Sequence, residues 1–185
     1  MISKKSFLQT IIVLSLSLLS CTRTVTAEKD LLNTINKTIH LEAFDIVRQG
    51  KVFLSLDELK EKYKYLSVVY LEDGCQSCYP KFIEWHQKFD SIAVSGNYSV
   101  LFVIHGKGYS DFMSKVLDLN YVDDKYYSII DTGEKFLEAN KDIPRWIIDA
   151  SVLIDSENKI KMVGAPWINE DMTKLFYEIV SKGKS

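Results

Sequence analysis

Cysteine is scarce in this chain: three stand among 185 residues, and only two of them are close together. With so few, no network of bridges can hold the fold, and any cysteine chemistry rests on one pair. Basic excess is missing as well. Lysine and arginine total 23 against 25 acids, a formal charge of −2. A nucleic-acid partner would need a basic face, so that class is set aside. No internal repeat or low-complexity block is present, and no cofactor motif, so no cofactor is expected. The longest apolar run, Ile11 to Leu19, is too short to span a bilayer, which takes ~20 residues.

What that run does have is a setting. Lys4 and Lys5 precede it and Cys21 follows it, the layout of a secretory signal. Leu18-Leu19-Ser20 before Cys21 resembles the lipobox of bacterial lipoproteins. That resemblance implies a signal peptide at 1–20 and a lipidated Cys21. It also implies a polar tether over 21–37, leaving 38–185 as the folded domain. Loss of the signal moves the charge from −2 to −4, because Lys4 and Lys5 leave with it and no acid does. A chain of this length can bury one sizeable core. Export places it in the cell envelope, anchored to a membrane and facing the periplasm or the outside, where a disulfide persists.

Within 38–185 the apolar pattern keeps changing period. TIHLEAFDIV and KVFLSL read as two short strands around a turn at Arg48-Gln49-Gly50. Ser55 with Glu58 makes a capping box for LDELKEKY. YLSVVYL is a continuous β-rich run, suited to a strand buried on both faces. From Gln76 to Phe89 the spacing of Cys78, Phe82, Trp85 and Phe89 predicts one face of a helix. SVLFVI and YYSIID predict further strands, and SDFMSKVLDL and GEKFLEAN predict helices. SVLID and KIKMVG flank a hairpin turn at Ser156-Glu157-Asn158. NEDMTKLFYEIVSKG closes as an amphipathic helix with Met172, Leu175, Phe176 and Ile179 on one face. Strands alternating with helices predict an α/β domain: a mainly parallel sheet, helices on both faces, and a closing hairpin that adds an antiparallel part.

Cys75 and Cys78 stand where the β-run ends and the helix begins. A bridge between them closes four residues and restricts the unfolded chain by only roughly 2 kcal/mol, against about 4.7 for a 100-residue loop. As a brace it is poorly placed. As a redox pair it is well placed. Unpaired N–H groups and the dipole at a helix N-terminus favour a thiolate at Cys75. Cys78, on the apolar face, becomes the shielded partner. Glu72 and Asp73 oppose the thiolate, and Lys81 partly offsets them.

Taken together, IVRQGKVFLSLDELK, VVYLEDGCQSC, YYSIIDTGEKFLEAN and VLIDSENKIKMVGAP resemble the thioredoxin-like superfamily. The resemblance runs from about Leu41 to Val180. It is nearest to the membrane-tethered TlpA/ResA-like thiol–disulfide oxidoreductases of bacterial envelopes. It implies a thioredoxin-like fold with a central mixed sheet, helices on both faces and an N-terminal β-hairpin extension. It also implies Cys75 as nucleophile and Cys78 as resolving thiol, with Gln76 and Ser77 tuning the potential. Glu72 and His105 would be supporting residues. Partners would be protein thiols and disulfides and a membrane electron donor. Two departures stand out. Gly74 replaces the usual aromatic before the first cysteine. The place of the family's cis-proline falls at Asp149, with Pro144 five residues earlier.

Two alternatives use the same residues. A thioredoxin-like copper chaperone would bind metal through Cys75, Cys78 and His105, since thiolates suit Cu(I) or Zn. His86, roughly 12 Å along the helix from Cys78, is too far to join them. A non-catalytic binding lipoprotein would keep the fold and use exposed side chains such as Trp146. Peroxidase chemistry is disfavoured, because Glu72 stands where a Thr or Ser is needed.

Overall fold

The computed structural model describes residues 26–92, 96–121 and 123–181. Residues 1–20, expected to be a signal peptide, and Cys21, expected to carry a lipid, lie outside the described residues. The chain forms two units, 1–34 and 35–185. In the first, residues 26–34 are a helix, α1, within which the Thr34 hydroxyl donates to the Asp30 carbonyl at 2.7 Å. No helix among the described residues is long and apolar enough to cross a membrane.

The second unit carries a seven-stranded mixed sheet in the order β2-β1-β5-β4-β3-β6-β7. Its strands are β1 (Ile46–Gln49), β2 (Val52–Ser55), β3 (Tyr65–Glu72), β4 (Tyr98–His105), β5 (Tyr127–Asp131), β6 (Val152–Asp155) and β7 (Ile160–Val163). Only β3, β4 and β5 run parallel. The other four strands come from two hairpins and pair antiparallel, so the sheet is mixed rather than mainly parallel. Hairpin strands need only a short turn, whereas a parallel neighbour needs a crossover.

The helices are α2 (Leu56–Lys62), α3 (Cys78–Phe89), α4 (Tyr109–Asp118), α5 (Lys135–Ala139), α6 (Arg145–Ala150) and α7 (Glu170–Ser181). A short 3-10 turn, Asp90–Ile92, follows α3. The Ser55–Glu58 capping box starts α2 as expected. The first hairpin turns one step later than expected, at Gly50-Lys51. Arg48 and Gln49 are still paired to Phe53 and Val52, and Gly50 takes the turn with φ 57°. Upstream, Asn36 and Lys37 already hydrogen-bond to the backbone of Ile160, so the folded unit begins before Thr38.

Period-two alternation on β3 divides the core. Val69 and Leu71 face a cluster with Phe102 and Ile104 of β4, into which α3, α4 and α7 insert Phe82, Trp85, Phe112 and Phe176. Each such side chain stabilises by roughly 1.5–3 kcal/mol when fully buried. The helix whose start carries the cysteines is therefore firmly seated. Tyr70 points the other way and stacks on Phe136 of α5, ring centroids 5.7 Å apart. On α7 the buried residues are Phe176 and Val180, with Met172 and Ile179 half-buried. Leu175, expected on that face, is 41% exposed.

Candidate active site at the cysteine pair

Glu72, His105 and Asp131 end β3, β4 and β5 in register, and the site lies just beyond that edge. Parallel α/β sheets place their sites at this carboxyl end. The chain leaves β3 through a turn closed by the Cys75 N–H on the Glu72 carbonyl, 3.1 Å. Gly74 sits inside it with φ 89°, a conformation an aromatic residue rarely takes. That explains why a glycine precedes the first cysteine here. The Tyr79 hydroxyl clasps the turn: it accepts from the Gly74 N–H at 2.7 Å and donates to Asp73 at 2.8 Å. Gly106 lies against the turn so closely that a Cβ there would stand 2.6 Å from the Cβ of Asp73.

A second turn follows, in which the Cys78 N–H donates to the Cys75 carbonyl at 3.0 Å. Cys75 and Cys78 are joined as a disulfide with their Cα atoms 5.3 Å apart. The helix begins at Cys78, two residues later than the periodicity suggested, so Cys75 lies one turn outside it. Pro80 stands in the first turn, where a missing N–H costs nothing. Both cysteines are half-buried, and Cys78 packs on the core cluster. The Ser77 hydroxyl lies 3.4 Å from the Cys75 sulfur; a bridged sulfur has no hydrogen, so the hydroxyl donates.

Beside the pair is a cavity of about 250 Å³. Ser77, Cys75 and Cys78 form one wall, Tyr70 and Glu72 of β3 another, and Lys81, Arg145 and Asp149 the rest. Larger hollows, of about 320 and 460 Å³, lie against Leu41 and Trp167 and touch neither cysteine. The charges around the smaller cavity balance. Arg145 contacts Asp149 at 2.8 Å and Glu72 at 3.3 Å, and its guanidinium is held above the usual range chiefly by the Asp149 hydrogen bond. Glu72 therefore lines the cavity beside the disulfide as half of an ion pair. The Lys81 ammonium donates to two carbonyls, Asp149 at 2.7 Å and Tyr70 at 3.4 Å. Burial lowers its pKa to about 8, with Asp149 and Glu84 acting in the opposite sense. Burial likewise pushes the Tyr70 phenol up to about 12, aided by Glu72.

The expected roles are distributed unevenly over this geometry. Cys75, Cys78, Ser77 and Glu72 line one cavity, while Gln76 is exposed between the cysteines. His105 does not join them. Its Nδ1 is 2.9 Å from the Asp131 carbonyl and its Nε2 3.5 Å from Glu134. Its imidazole thus faces α5, which removes it as a third ligand beside the sulfurs. No group of three or more His, Cys, Asp or Glu able to hold a metal occurs among the described residues. His40 meets Glu42 at 3.4 Å.

Neither Arg145 nor Tyr70 is marked by the sequence pattern, and the segment DIPRWIID carries Arg145. It is the start of α6. Pro144 takes the position just before the first helical residue, and its carbonyl accepts from the Ile147 N–H at 2.9 Å. The described residues contain no cis peptide bond, so Pro144 does not serve as a cis-proline, and the place itself holds Asp149. In its place α6 sets Arg145 and Asp149, one turn apart, over the cavity. A proline opening a six-residue segment with Arg and Asp at i and i+4 was the available signal.

No family model matches the chain, and no curated protein does. Solved structures do. The thioredoxin domain of a thiol-disulfide oxidoreductase from Bacteroides vulgatus matches at TM-score 0.52 and 15% identity, over 79% of this chain and 97% of that one. A thiol-disulfide oxidoreductase from Bacteroides fragilis matches at 0.54 and 10%, over 75% and 99%. An uncharacterized thioredoxin-like protein from Porphyromonas gingivalis matches at 0.51 and 15%, over 81% and 97%. At these identities the likeness is one of fold, and that fold is thioredoxin-like.

Proposed function

We propose that this chain with a thioredoxin-like fold is a thiol–disulfide oxidoreductase of the cell envelope, working through Cys75 and Cys78. The observation that carries the reading is the bridged pair at the start of α3, opening on a cavity at the carboxyl edge of the parallel strands. The Bacteroides neighbours, described as thiol-disulfide oxidoreductases, support it.

In the oxidised form a partner thiolate attacks the Cys75 sulfur, and the bonding pair leaves on Cys78. A second partner thiol then attacks the partner's own sulfur and releases Cys75. Two electrons pass to the pair and the partner becomes a disulfide. Cys75 is assigned the attack because Cys78 is held against the core. The reverse sequence reduces a partner disulfide and needs a membrane electron donor to restore the dithiol. Partners are protein thiols and disulfides. Residues 1–20 act as the signal peptide, and a lipid on Cys21 keeps the domain at the membrane.

The test takes the full chain through glutathione or dithiothreitol buffers and counts alkylated Cys75 and Cys78 by peptide mass. A reversible two-electron transition supports the reading, and its midpoint separates reductant from oxidant. A pair that stays reduced or oxidised throughout overturns it. The anchor has its own test: Cys21→Ser releases the protein from membranes, and retention of that variant sinks the lipid assignment.

A further inference from the structure

Lys81 is chemically unusual in its position. It follows Cys78 by three residues on α3, so the two side chains share a helix face. Both line the cavity beside the disulfide. Its Nζ is fixed by the carbonyls of Tyr70 and Asp149, on β3 and α6, and no carboxylate pairs with it among the described residues. The nearby acids are already engaged. Asp149 and Glu72 contact Arg145, and Glu84 accepts from the Trp167 indole N–H at 2.8 Å. Two carbonyls satisfy two of three ammonium donors, which leaves one N–H for another acceptor.

We propose that Lys81 is the proton-transfer partner of Cys78, giving a proton as Cys78 leaves as thiolate and taking it back when Cys78 attacks. The inference rests on the redox reading of the pair. When a partner thiolate attacks Cys75, the S–S bond breaks and its electron pair goes to Cys78. The Lys81 ammonium hands that sulfur a proton and becomes a neutral amine. In the reverse direction the amine removes the Cys78 proton. The Cys78 thiolate then attacks Cys75 in the mixed disulfide, reforms the S–S bond and expels the partner as thiolate. A lysine held near pH 8 by desolvation can occupy both states under working conditions. The groups facing it are Tyr70 and Glu72 from β3, Arg145 and Asp149 from α6, Glu84 from α3, and the cysteines themselves.

The experiment follows the alkylation rate of Cys78 against pH in the full chain carrying Cys75→Ser, read at that peptide by mass. Lys81, Lys81→Arg and Lys81→Met are compared after thermal melts show that each is folded. With Lys81 the profile rises in two steps, the thiol and the amine sharing a proton. Lys81→Met has roughly tenfold less thiolate at pH 7 and a single step, as expected on losing a neighbouring cation. Lys81→Arg keeps the charge and cannot give it up, so its profile is also single-step. A Lys81→Arg profile that superimposes on that of Lys81 overturns the proposal and leaves a structural cation. A second readout, reduction of the intact Cys75–Cys78 bridge by dithiothreitol, separates the two ideas. Two-step coupling without any exchange removes the oxidoreductase reading and, with it, the transfer step assigned to Lys81, leaving only a shared proton. Exchange in which Lys81→Arg has the same rate and pH profile as Lys81 removes the proton pair and leaves the oxidoreductase.

Discussion

The Arg145 guanidinium lies over the ring of Tyr70, its central carbon 5.0 Å from the ring centroid. The same guanidinium holds Asp149 and Glu72. One residue of α6 thus ties that helix to β3 and pairs with both acids that line the cavity beside the disulfide.

Arg145→Ala should separate charge from stability. Its ion pairs are about half exposed and are worth ~0–1 kcal/mol together with a comparable cation–π term, so the melting temperature should move by a few degrees at most. Exchange should suffer more. With Glu72 unpaired, the Cys75 thiolate is disfavoured, and reduction of the bridge by dithiothreitol at pH 7 and its return should slow by roughly tenfold. Unchanged exchange kinetics would show that Glu72 does not act on the pair.

Tyr70→Phe addresses a different feature. The Tyr70 hydroxyl is buried and has no hydrogen-bond partner among the described residues. Such a group costs about 1–3 kcal/mol, so its removal should leave the protein equally stable or more stable by up to about 1 kcal/mol. Urea midpoints read this directly. A clear loss of stability would mean that the hydroxyl holds a partner, such as an ordered water in the cavity.

Gly106→Ala should destabilise. The added Cβ would meet Asp73 at 2.6 Å, in the turn that presents Cys75. Overpacking of this kind costs roughly 1–3 kcal/mol. The denaturant midpoint should fall by that amount. A variant as stable as the parent would show that the turn can shift freely.

His86 sets a pH dependence. It is buried on α3, with Nδ1 2.9 Å from the Phe82 carbonyl and its ring stacked on Phe102. Burial is the largest effect and lowers its pKa, against a smaller opposing contribution from the Phe82 carbonyl. The neutral form is therefore favoured in the folded state. This contribution is fully present above the unfolded value, about 6.5, and is lost as pH falls from there toward the lower folded value. Urea unfolding at pH 7.5 and pH 5 should differ more in the parent than in His86→Phe. Equal slopes in the two proteins would contradict this.

Much of the site was readable before the fold was known. The spacing of Cys78, Phe82, Trp85 and Phe89 located the helix, and the β-run before it located the edge where the pair emerges. The shift of the helix start from Gln76 to Cys78 was not readable. It follows from two successive turns, one needing the φ of Gly74 and the other closed by the Cys75 carbonyl. Nor was the placement of His105. Its position at the end of β4 was correct, but a side chain at a strand end can face either neighbour, and contacts with Asp131 and Glu134 decide that it faces α5.

What the sequence determined by itself is whatever depends on neighbours within a turn or two. That includes the period of each element, the Ser55 capping box, the cysteine spacing and the two hairpins. The tertiary structure decided what depends on pairs far apart in the chain. Arg145 meets Glu72 across 73 positions, and Lys81 meets Asp149 across 68. Local propensity carries no record of such contacts, because they exist only after α6 has packed on β3. The electrostatic setting of Cys75 and Cys78 is therefore a property of the fold, whereas the presence of the pair is a property of the sequence.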